Sequence, residues 1–168
     1  MKSVIRSGQQ LLADPETLVI PGSILIVGIG NSGRADDGLG WEFINKISNR
    51  EEFDLEYRYQ LQVEDAELIA SYEQVWFVDA SHEQYPDGLR VSKVKPIGNF
   101  TYTSHQLSPE VVLFLCQDLF GKFPDTRLIG ISGENWNLGE PMSDLAKNGL
   151  KKALEFFNQH QIITLNER

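Results

Sequence analysis

Three short stretches carry residue types that could do chemistry together. The first holds adjacent acids, Asp36 and Asp37, in Gly28-Ile29-Gly30-Asn31-Ser32-Gly33-Arg34-Ala35-Asp36-Asp37-Gly38-Leu39-Gly40. The second is Asp79-Ala80-Ser81-His82, and the third is Thr103-Ser104-His105-Gln106-Leu107. Two carboxylates and an imidazole from separate loops suit a borderline divalent ion such as Zn, Ni, Mn or Fe, and three protein ligands leave positions open for water or substrate. A site made of one acid from the first loop, Asp79 and His105 would polarise a carbonyl or lower the pKa of a bound water, with another nearby acid moving protons. His82 follows Asp79 closely and reads as a solvated loop histidine rather than a ligand. No Ser-His-Asp or Cys-His nucleophile pattern is evident, and Cys116 lies in an apolar helical stretch that suits a buried structural thiol.

Other chemistry and plainer roles compete for the same residues. Gly28, Gly30 and Gly33 satisfy the dinucleotide fingerprint G-x-G-x-x-G after a strand. Against it, Asp36 and Asp37 crowd the place where a helix N-terminus would receive a pyrophosphate, and Gly38 and Gly40 delay that helix. The glycines also fit a tight strand-to-helix turn, Asn31 fits a hydrogen bond to its own loop, and Asp37 fits a helix cap. Asp79 fits a turn residue at a strand end, and His105 a neighbour of a helix start.

Periodicity supplies the elements that must position these loops. Ser23–Val27 is a continuous apolar run that suits a strand buried on both faces. Trp41–Asn49 places Phe43, Ile44 and Ile47 on one helical face. Leu55–Leu61 reads as a strand, Asp65–Tyr72 as a short helix, and Val75–Val78 as a second buried strand. Leu89–Val94 is a more exposed strand after the turn signal Pro86-Asp87-Gly88. Ser108-Pro109 opens a helix that carries Val111, Val112, Leu115 and Leu119 and ends near Gly121. Thr126–Ile131 is a third buried strand, and Ser143 caps a final helix with Ala146, Leu150, Ala153, Leu154 and Phe157 on one stripe. Strands alternating with helices predict a three-layer α/β/α sandwich with a mostly parallel central sheet, whose ligand sites lie beyond the strands' carboxyl ends.

Composition sets the wider bounds. The 168 residues suit one α/β domain, 23–168, preceded by a leader over 1–22 that shows no clear period. A formal net charge of −9 argues against nucleic acid as a partner, since that affinity rests on Lys and Arg. A single cysteine excludes an internal disulfide and fits a reducing compartment. With no long apolar run and no signal-peptide core, the sequence points to a cytoplasmic protein without a membrane partner, and a monomer is the expectation.

Taken in order, G-x-G-N, the Asp-Asp-Gly-x-Gly segment, V-D-A after an apolar strand, and S-H-Q-L resemble the hydrogenase maturation protease family. Leu128–Gly139 followed by Glu140-Pro141-Met142-Ser143 is similar to that family's last strand, Gly-Glu loop and closing helix, so the resemblance spans most of Ser23 to Phe157. It implies a phosphorylase/hydrolase-like fold and an endopeptidase, classed as aspartic-type, that removes a C-terminal peptide from the large-subunit precursor of a nickel-iron hydrogenase. Carried over by position, the metal ligands are Asp37, Asp79 and His105; beside them, Asp36 or another nearby acid and Asp37 are the candidate acids in catalysis, and Gly30, Asn31, Gln60 and Trp136 the candidates along the substrate. The implied cofactor is a divalent metal, with nickel brought by the substrate as one source, and no organic group. Tyr59-Gln60-Leu61-Gln62-Val63-Glu64-Asp65 is closer to a subgroup with Gln-Leu-x-Pro-Glu than to members with Gly-Gly-Thr, although Val63 stands in place of the proline. The leader is longer than the family's usual start. A non-catalytic metal-binding chaperone or partner on the same scaffold would share the ligands, so that alternative stands beside the peptidase, as does a dinucleotide-binding protein.

Overall fold

The structure, a computed structural model, describes residues 22–98 and 107–166, and the side chains as far as 160. The chain runs β1 (Ile24–Ile29), a 3-10 turn (Ala35–Gly38), α1 (Leu39–Ile47), β2 (Asp54–Arg58), α2 (Asp65–Ile69), β3 (Gln74–Ser81), β4 (Leu89–Lys93), α3 (Pro109–Phe120), β5 (Asp125–Ser132) and α4 (Asp144–Asn166). The five strands form one sheet in the order β2-β1-β3-β5-β4. All neighbours are parallel except β4, which lies antiparallel to β5.

Alternation along the inner strands divides the core into two layers. Ile26, Trp76, Val78, Ile129 and Ile131 pack against Leu39, Phe43, Ile44 and Ile47 of α1 and Ala146, Leu150, Ala153 and Phe157 of α4. Leu25, Val27, Ile29, Val75 and Phe77 face the other way, onto Ala66 and Ile69 of α2 and Val112, Leu113 and Cys116 of α3. Each inner strand therefore has two dry faces, which is why β1 reads as an unbroken apolar run. The expected α/β/α sandwich is the observed one.

Several boundaries differ from the sequence reading for physical reasons. The helix expected from Trp41 starts at Leu39, because Gly40 lets the first turn lie directly on the sheet. A Cβ at Gly40 would stand 2.4 Å from the Ile29 carbonyl oxygen and 2.5 Å from that of Val78. The strand expected over Leu55–Leu61 stops at Arg58, and Leu61 instead forms an isolated bridge to Leu107. The helix expected to reach Tyr72 ends at Ile69, and Tyr72 packs against the core from the following turn. Ser108 does cap α3: its side chain accepts from the Val111 N–H, with proline next in sequence, and Gly121 closes the helix in the left-handed conformation.

Strand order reverses between β1 and β3. From β1 the chain passes through α1 to β2 on one side, then through α2 to β3 on the other, so a crevice opens at the carboxyl ends of these strands. Among the described residues no helix is long and apolar enough to cross a membrane.

Candidate metal and substrate site

The crevice holds a cavity of about 340 Å³. Its wall includes Asp37 from the loop after β1, Tyr59, Gln60 and Leu61 after β2, Asp79 near the end of β3, and Leu107 and Ser108 before α3. Gly30, His82 and Trp136 complete the parts that matter for chemistry. The structure thus brings together Asp37, Asp79, Gly30, Gln60 and Trp136. His105, with its neighbours Thr103, Ser104 and Gln106, lies outside the described residues.

Local backbone fixes Asp37. Gly30 has φ +132°, and a Cβ there would come within 1.9 Å of the Asp37 carbonyl oxygen, so only glycine lets the two strands of the loop touch. Across that contact the Asn31 N–H donates to the Asp37 carbonyl at 3.0 Å, and the Gly30 N–H donates to the Arg58 carbonyl at 2.9 Å. Asn31 itself is off the cavity wall; its side-chain oxygen accepts the Gly33 N–H at 2.9 Å, so it shapes the loop rather than the substrate groove.

Asp36 is a second correction. Expected as a proton carrier, it is fully buried and absent from the cavity wall. Its Oδ2 accepts the N–H groups of Glu134 and Asn135 and the Ser143 hydroxyl, at 2.8, 2.9 and 2.7 Å. Its Oδ1 accepts the Ser143 N–H at 2.7 Å. Burial alone would raise its pKa, but these donors outweigh burial and hold it below the ordinary 3.8. Asp36 therefore pins the loop that carries Trp136, and the start of α4, to the segment that carries Asp37.

Electrostatics set Asp79 apart. Burial pushes its carboxyl up to about 7, against the pull of the Ala80 N–H, and the negative charge of Asp37 pushes the same way. No Lys or Arg stands among the described residues of the wall. Two acids thus share a half-dry crevice without a basic lining residue, an arrangement that favours a cation.

His82, read from the sequence as a solvated loop residue, is exposed yet lines the cavity and packs on Trp136 with ring centroids 3.9 Å apart. Among the described residues no three His, Cys, Asp or Glu side chains gather as a set that could hold a metal. Trp136 is steadied in turn by Arg34, whose guanidinium donates to the Trp136 carbonyl at 3.3 Å. Tyr59 and the His82–Trp136 stack are site features that sequence reasoning missed. For His82, the clue was its position at the same strand end as Asp79.

No protein-family profile matches this sequence, and no curated protein does. Solved structures do. A nickel-iron hydrogenase maturation protease, HycI, from Thermococcus kodakarensis superposes with a TM-score of 0.63 at 24% identity, over 82% of this chain and 91% of that one. The hydrogenase maturating endopeptidase HybD from E. coli gives 0.64 at 19% identity, over 80% and 89%. The hydrogenase 2 maturation peptidase of a Thaumarchaeota archaeon gives 0.60 at 19% identity, over 83% and 97%. Across nearly the whole length of each, this chain has the fold of the hydrogenase maturation proteases.

Proposed function

We propose that this chain is a member of the hydrogenase maturation protease family: a metal-dependent endopeptidase that removes a C-terminal peptide from the large-subunit precursor of a nickel-iron hydrogenase. The observation that carries the reading is the meeting of Asp37 and Asp79, distant in sequence, on one cavity at the strand-order reversal of this fold. His105 is proposed as the third donor on the family resemblance of its Ser104-His105-Gln106-Leu107 segment.

The donor set fits a divalent ion, since two carboxylates and an imidazole are the ligands such ions take and the described wall offers no competing cation. A bound ion would supply Lewis acidity toward the scissile carbonyl or a more acidic water. The protein's own part is positioning. Gly30 and Asn31 hold the Asp37 loop shut, Gln60 and Trp136 flank the path of an extended peptide, and the crevice limits the water around it. With Asp36 committed to the Glu134–Ser143 loop, proton transfer falls to the carboxylates on the cavity, Asp37 and Asp79.

The test is incubation of the intact protein with nickel-loaded precursor, following the precursor's C-terminus by mass spectrometry. The expected result is loss of a short C-terminal peptide with wild type, and none with Asp37→Ala, Asp79→Ala or His105→Ala in chains that remain folded. Precursor left whole where a known maturation protease cuts it would overturn the reading.

A further inference from the structure

Six large apolar side chains among the described residues are conspicuously exposed, and three of them, Tyr57, Tyr59 and Val63, fall within one short stretch beside the cavity. Tyr59 is 67% exposed and Tyr57 38%. Monomeric proteins seldom leave grouped aromatic rings in water without a use for them.

These rings are held in place. Trp41 stands between them, its ring centroid 5.2 Å from Tyr57 in an edge contact and 4.9 Å from Tyr59. The Trp41 indole N–H donates to the Arg58 carbonyl at 3.1 Å, and the Tyr57 hydroxyl donates to the Asn45 side-chain oxygen at 2.8 Å. Arg58 is clamped by Glu56 at 2.7 Å and by the buried Asp65 at 2.8 Å, so the strand end between the two tyrosines cannot drift. Fixed aromatic rings lose little conformational entropy on binding, which is why such residues dominate protein-binding hot spots.

The ledge is continuous with the candidate site. Tyr59 belongs to both, since its ring leans on Trp41 while the residue also lines the cavity beside Asp37 and Asp79. Tyr57 lies on β2, an edge strand of the sheet, Tyr59 follows the end of that strand, and Trp41 belongs to α1.

We infer that the Trp41–Tyr57–Tyr59 ledge is the docking surface for the folded body of the protein substrate, receiving an apolar patch next to the segment that enters the cavity. This rests on the peptidase reading above. The ledge supplies affinity for the substrate as a folded protein, and the cavity supplies the cut.

Steady-state cleavage of the precursor by wild type, Tyr57→Ala, Tyr59→Ala and Tyr57→Phe tests the inference, with thermal melts confirming that each is folded. Both alanine variants should raise KM about tenfold, the equivalent of about 1.4 kcal/mol, which is within the range of an aromatic hot spot. Tyr57 is off the cavity wall, so the kcat of Tyr57→Ala should stay within about threefold of wild type. Tyr57→Phe keeps the ring and loses only the bond to Asn45, and should restore KM. Unchanged KM in both alanine variants, or a Phe variant as impaired as the Ala variant, would overturn the inference while leaving the peptidase reading intact. Wild type that fails to cut would remove the peptidase reading and the ledge's role with it. Sedimentation of the same variants covers the remaining occupant: a dimer that Tyr59→Ala dissociates without a change in KM would make the ledge a self-association surface and overturn the inference.

Discussion

Asp36 and Asp37 stand side by side in the chain and in opposite surroundings. Asp37 faces the cavity, whereas Asp36 accepts four hydrogen bonds in full burial. An amide at position 36 offers one acceptor oxygen and turns an NH₂ toward groups that are themselves donors. Asp36→Asn should therefore cost about 2–4 kcal/mol, read from urea denaturation. Because the folded pKa is depressed, this contribution is complete above the unfolded value near 3.9 and is lost as pH falls through the folded value. The gap between wild type and Asp36→Asn should hold steady above about pH 5 and shrink below about pH 4. Cys116 makes the contrasting case: burial pushes its thiol up to about 12 despite the nearby Lys122. It should resist thiol reagents at neutral pH in the native protein and react at once in denaturant; rapid labelling of the native state would contradict the burial. Sequence made the acid-bearing loop after β1 legible, with Asp37 chosen in it by the family resemblance alone. It could not separate Asp37 from Asp36, since the donors that claim Asp36 come from residues 134–143, and the stacking partner of His82, Trp136, is equally remote.

Elements were easier to read than their ends. Apolar runs disclosed β1 and β3 because both are dry on two faces, and the Ser108-Pro109 start of α3 carried its own capping chemistry. The end of β2 was obscure because Tyr59 and Leu61 are as strand-like in type as residues within it; what ends the strand is the bridge from Leu61 to Leu107, a tertiary contact. The early start of α1 was hidden for a related reason, since a glycine within a helix reads as a delay until the sheet beneath it is known. That glycine gives the sharpest prediction at this scale. In Gly40→Ala the new methyl meets the Ile29 and Val78 carbonyls, both backbone, so relief requires α1 to lift from β1 and β3 together. A loss of about 3 kcal/mol is expected from such overpacking, seen as a lower urea midpoint or as insoluble protein. A substitution tolerated within about 0.5 kcal/mol would mean that α1 does not sit as closely as described.

At the scale of the whole molecule, the sheet order decides where chemistry can occur, because the reversal between β1 and β3 is the crevice into which Asp37 and Asp79 both project. The sandwich and the strand-end location of the site were readable from the alternation of elements, but convergence was not, as it depends on which strands become neighbours. The molecule carries a formal charge of −9, and the described cavity wall adds two acids with no Lys or Arg. A peptide segment entering without a cation meets two acids and no Lys or Arg, whereas one that brings a divalent ion gives both acids a partner. If the proposed substrate is right, nickel-loaded precursor should be cut at least about tenfold faster than precursor prepared without nickel, a difference of about 1.4 kcal/mol or more in transition-state stabilisation. Asp79→Asn keeps the shape of the wall and removes one charge, so it should cut slowly and discriminate little between the two precursors. Equal rates for both forms with wild type, followed by intact mass over time, would show that the paired acids do not read the substrate's ion, and would leave them as ligands of a metal that the protein acquires for itself.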